Sequence, residues 1–135
     1  MARLADWDAR LFAVVEAHQN APFAWGRADC FTFAMACVAA VTGGNPYADE
    51  AGRWRSAAGA RRRLRARGFA SIEAALAAVF PEIAPALAQR GDLAIVHGAH
   101  ETVTVSLGAR FVSLAPAGGL AGVRLDHVSR AFRVG

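Results

Sequence analysis

Cys30 is the residue of this chain with the widest chemical reach. It follows Asp29 and precedes an apolar run, Phe31 to Val41, that only Thr32 interrupts. An Asp in that place accepts backbone hydrogen bonds from the first turn of a helix, so the pattern predicts a helix from Cys30 to about Thr42 with the thiol at its start. A cysteine there feels the partial positive charge of the N-terminal amides, which lowers its pKa and favours the nucleophilic thiolate. The same amides are candidate donors to an oxyanion developing on an attacked carbonyl. Asp29 opposes this activation through its charge unless its carboxylate is spent on capping. The competing reading makes Cys30 a small buried hydrophobe. A second thiol, Cys37, lies two helical turns further on, about 10 Å away by the helical rise, which is too far for a disulfide. Without a CxxC spacing or a paired His cluster, no structural zinc site is expected, and no cofactor.

The helix that would carry Cys30 is apolar nearly all round, the pattern of a helix buried at the centre of a domain. Gly43 and Gly44 end it. Before it, Trp7 to His18 alternates at helical spacing and stops at Asn20, Ala21 and Pro22. The loop Phe23 to Asp29 is aromatic, and Asn45 to Trp54 reads as irregular. A basic helix near Ser56 to Arg67 and a further helix capped by Ser71, with an Ile72, Ala75, Leu76, Val79 stripe, follow. Beyond Arg90 the texture changes to short alternating runs: Asp92 to His97, Glu101 to Leu107, Phe111 to Leu114, Val123 to Leu125 and Ala131 to Val134. Helices first and an antiparallel sheet second predict an α+β fold, with the Cys-bearing helix packed on the sheet.

The 135 residues read as a single domain over 1–135, large enough to fold without staples. With 55% hydrophobic and 19% charged residues, the chain is not a disordered tail. No stretch reaches the roughly 20 apolar residues of a membrane span, and the N-terminus lacks a signal-peptide pattern, which predicts synthesis in the cytosol. The net charge is +4, and all 15 basic residues are Arg. Arg61, Arg62, Arg63, Arg65 and Arg67 concentrate that excess, but no aromatic platform interleaves with them. The run could meet phosphate or an acidic polymer, but the reading favoured is a solvated helix face, and nucleic acid is not an expected partner.

Pro22-Phe23-Ala24-Trp25-Gly26 followed by Asp29-Cys30 resembles the nucleophile loop of the NlpC-type papain-fold cysteine peptidases. Arg90-Gly91-Asp92-Leu93 resembles the Gly-Asp-Leu entry into that family's first core strand, and the order of motifs agrees over roughly Trp7 to Leu114. The resemblance implies a papain-like fold with Cys30 as nucleophile. It also implies a base at Thr102 and an orienting residue at Ser113, where this chain has no imidazole, and Phe23 stands where an assisting tyrosine is usual. His100 is the candidate displaced base, because on a continuous strand it would share a face with Thr102, about 7 Å away. His97 is the weaker candidate at a strand end; His127 belongs to a C-terminal turn and His18 to the first helix. Size and pattern resemble a phage and prophage tail branch of that family. The expectation is a tail-tip protein assembled into a virion or phage-like tail, with other tail proteins as partners and a catalytically degenerate centre. The alternative is an active cysteine peptidase cutting peptidoglycan peptides during genome entry.

Overall fold

A computed structural model describes Met1–Gly135. The first helix, α1 (Trp7–His18), buries Leu11 and Val15 against α2 (Cys30–Thr42). Helix α2 begins at Cys30 because Asp29 and Thr32 form a reciprocal capping box, and it ends where Gly43 takes φ of 87° and sends its N–H to Ala39 O. Seven of its residues are buried, among them Phe33, Met35, Val38 and Val41, as expected for a central helix. A 3₁₀ turn at Ala48–Glu50 leads to α3 (Ala57–Ala66), capped by Ser56, and α4 (Ile72–Ala77), capped by Ser71.

Six strands follow: β1 (Glu82–Ile83), β2 (Leu93–His97), β3 (Glu101–Ser106), β4 (Phe111–Leu114), β5 (Leu120–Val123) and β6 (Val128–Phe132). They form one antiparallel sheet of order β1-β6-β2-β3-β4-β5. The fold is α+β. Leu93, Ile95, Val103, Val105, Val112 and Leu114 turn one face of the sheet into the main core beneath α2, while Ala94, Phe111 and Ala131 form a small second cluster. The two thiols are both free, Cys37 fully buried and Cys30 half-buried.

Two expectations need correction. The strand expected over Val123 to Leu125 lies earlier, at Leu120–Val123, because Gly118 and Gly119, at φ of 89° and 73°, close a tight hairpin with β4. Leu125–His127 is instead a 3₁₀ turn. The last strand covers Val128–Phe132 rather than Ala131 to Val134; its pairing with β2 extends past a bulge at Ile95/Val96, which recruits the more polar Ser129 and Arg130. The short β1 carries too few residues to show alternation.

One carboxylate closes the chain on itself. Asp92, 2% exposed, accepts from Arg3 Nη2 at 3.0 Å and from the Val134 amide at 3.0 Å through Oδ1, and from the Gln89 amide at 2.8 Å through Oδ2. The Gly-Asp-Leu segment thus joins both ends of the chain to the first residue of β2. Asp92→Ala strips partners from a buried amide and from a guanidinium, and is expected to lower the unfolding free energy by about 3 kcal/mol. Urea denaturation of the two proteins checks this; a loss under about 0.5 kcal/mol, the scale of an ordinary surface substitution, would show that the staple is dispensable.

Candidate functional site

The first turn of α2 is held by a knot of three segments. Asp29, buried, accepts from the Thr32 amide at 2.9 Å through Oδ1, and from the Gly26 amide and Trp54 Nε1, each at 2.8 Å, through Oδ2. Gly26 is at φ of 75°, and a Cβ there would come within 2.2 Å of the Trp54 carbonyl oxygen, so only glycine lets the loop pass. Trp54 is 7% exposed and its indole packs on Phe31, ring centroids 6.1 Å apart, as does Tyr47 at 5.8 Å. Tyr47 in turn donates its hydroxyl to Ala75 O of α4.

These elements border a groove of about 730 Å³ that is mostly apolar and into which Cys30 opens. Phe23 and Trp25, edge to face at 4.9 Å, form one end. The start of β3 and the ends of β4 and β5 form the facing wall, which includes His100, Thr102 and Ser113. The structure therefore gathers all four candidate residues at one groove. It does not join them: no hydrogen bond links the thiol to His100, Thr102 or Ser113. His100 lies in the turn before β3, where its carbonyl accepts from the Gly98 amide, so the alternation that would have aligned it with Thr102 does not reach it. Thr102 pairs with Val96 and Ser113 with Ala121 as ordinary ladder positions.

The other imidazoles do not line the groove. His18 Nδ1 donates to Val14 O at 2.7 Å and its ring packs on Phe33. His97 Nε2 lies 3.8 Å from Glu73. His127 sits in the 3₁₀ turn before β6.

Burial is the main influence on the Cys30 thiol and pushes its pKa up to about 11, with the charges of Asp29 and Glu101 adding to the rise. The backbones of Val103 and Phe31 pull the other way without reversing it. Of the two opposed expectations for the helix start, the direction agrees with the less reactive one: desolvation and two carboxylates raise the thiol pKa. Cys37 is pushed higher, to about 12, by burial alone.

Glu101 was not visible as a site residue from sequence. It opens β3 beside the thiol but makes no hydrogen bond to it; Oε1 accepts from the Ile72 amide at 2.7 Å and Oε2 from the Glu73 amide at 2.9 Å. Both oxygens anchor the start of α4 while the charge still acts on the thiol. Trp54 and Glu50 were equally hidden inside the irregular stretch, where Tyr47 and Asp49 share their residue types and nothing local singles them out.

Residues 2–134 match one family model, described as a domain of unknown function. The chain belongs to that family, DUF6950. Comparison with curated proteins found no match. No helix of this DUF6950 domain is long and apolar enough to cross a membrane.

The α3 wall of the DUF6950 groove depends on an ion cluster. Glu50, 6% exposed, accepts from Arg63 Nε at 2.8 Å and Nη2 at 2.9 Å, and from Arg67 Nη1 at 3.1 Å. The Arg63 hydrogen bond leads in holding the Glu50 carboxyl below the usual carboxylate range. Because the folded value is depressed, the stabilisation is present above the unfolded pKa, about 4.3, and is lost as pH falls through the folded value. Glu50→Gln is expected to cost about 2 kcal/mol at pH 7 and to make stability less sensitive to acid below about pH 5. Denaturant titrations at a series of pH values check both; equal acid sensitivity in the two proteins would contradict the assignment.

Proposed function

We propose that this DUF6950 domain is an NlpC-like, papain-type fold with a degenerate catalytic centre, serving as a structural component of the tail tip of a phage or phage-like particle. The observation that carries the degenerate reading is the Cys30 environment: a thiol at a helix start in a groove, raised to about 11 and bonded to no imidazole. Papain-like hydrolysis requires a base that takes the thiol proton and later returns it to the leaving amine. Thr102 cannot accept a proton at neutral pH, and Glu101 has its oxygens engaged by α4. The order of a Cys-led helix followed by an antiparallel sheet, with β3 beginning beside the thiol, supports the papain-type assignment. The tail setting and the other tail proteins as partners rest on the resemblance in the nucleophile loop and the Gly-Asp-Leu segment.

His100 on the groove wall favours a second reading, an active cysteine peptidase on peptidoglycan peptides, in which the turn before β3 swings the imidazole toward Cys30. The two readings separate in one assay. With purified peptidoglycan peptides and the full chain, the degenerate reading expects product formation no faster than that of Cys30→Ala. Turnover that disappears in both Cys30→Ala and His100→Ala would establish the peptidase instead, since nucleophile and base act as one unit.

A further inference from the structure

Beside the groove, behind Trp54, lies a second depression of about 440 Å³ whose lining is almost wholly polar: Arg53, Arg55, Arg62 and Arg63 with Ser56 and Gly59. Arg63 is committed to Glu50. The side chains of Arg53, Arg55 and Arg62 make no hydrogen bond or ion pair, as is true also of Arg27, Arg61, Arg65, Arg110 and Arg133, whereas Arg3, Arg10, Arg67, Arg90, Arg124 and Arg130 find carboxylates; what sets the three apart is that they line one concavity. No acidic residue lines the depression. Three uncompensated guanidinium groups around one concavity repel one another, and a multivalent anion relieves that repulsion. The start of α3 opens onto the same space and adds its positive end.

The helix start packs closely along the floor of the depression. Gly59, buried in the first turn of α3, stands where a Cβ would meet Ser56 Oγ at 3.2 Å and Trp54 Cβ at 3.4 Å, with Arg62 Nη2 only 3.7 Å away. The glycine lets the helix start lie flat against Trp54 and brings the Arg62 guanidinium over the pocket floor. Trp54 is too deeply buried to stack on a base, which argues against a nucleic-acid strand.

We propose that Arg53, Arg55 and Arg62 form a binding site for a terminal phosphate group, a dianion whose several oxygens can each take a guanidinium hydrogen bond. The site is separate from the Cys30 groove and does not depend on its chemistry. Calorimetric titration of the full chain with inorganic phosphate, at constant ionic strength set by chloride, is expected to saturate. Arg62→Gln and Arg55→Gln should each weaken binding about tenfold, the loss of one charged hydrogen bond. Arg65→Gln, an exposed arginine of the same helix outside the depression, should leave it unchanged. Both Arg62 and Arg55 are exposed, so unfolding midpoints of the variants should match the native protein. A non-saturating response, equal affinity in the Arg62→Gln and native proteins, or tighter binding per phosphate of a single-stranded oligonucleotide lacking a terminal phosphate would each overturn the proposal.

Discussion

The site depends on one buried carboxylate. Asp29 receives three N–H groups from three parts of the chain, the Gly26 loop, the first turn of α2 and the Trp54 indole, and Thr32 returns a bond to its amide at 2.9 Å. Each donor would be an unsatisfied polar group without it. Through Trp54 the same carboxylate fixes the segment that divides the apolar groove from the arginine-lined depression. Through its charge it acts on the thiol one residue away.

That double role explains why a helix start suited to activating a thiol fails to do so. Amide dipoles at a helix N-terminus favour an anion. Here the capping anion is Asp29, already in place, and Glu101 brings a second negative charge to the thiol from the start of β3 while satisfying α4. A thiolate would be a third anion in a partly desolvated corner, with no cation bonded to it. The arrangement trades nucleophile activation for the anchoring of two helices.

Local patterns made much of this legible. Apolar periodicity marked α1 and α2 at Trp7–His18 and Cys30–Thr42, and Asp29 and Ser71 announced their helices because capping is a short-range interaction. Strands with clear alternation, at β3 and β4, were legible too. What escaped depends on partners far along the chain: the Trp54 to Asp29 bond spans 25 residues and the Glu101 cap on α4 spans 29, and neither has a local signature. The register of β6 was hidden for the same reason, since a bulge against β2 sets it. For the thiol, spacing reveals the helix dipole and the opposing Asp29, but not the depth of burial or the second carboxylate, Glu101.

The central claim is that Cys30 is kept protonated by its surroundings, and the pH dependence of its alkylation tests this most directly. In a Cys37→Ala protein, so that one thiol reports, the iodoacetamide rate would be followed across the pH range in which the fold persists. The account predicts slow labelling at neutral pH and a rate still climbing at about pH 10, consistent with a thiol pKa of about 11. A rate that levels off with an inflection below about pH 8.5, the ordinary free-thiol value, would contradict it and restore Cys30 as an activated nucleophile.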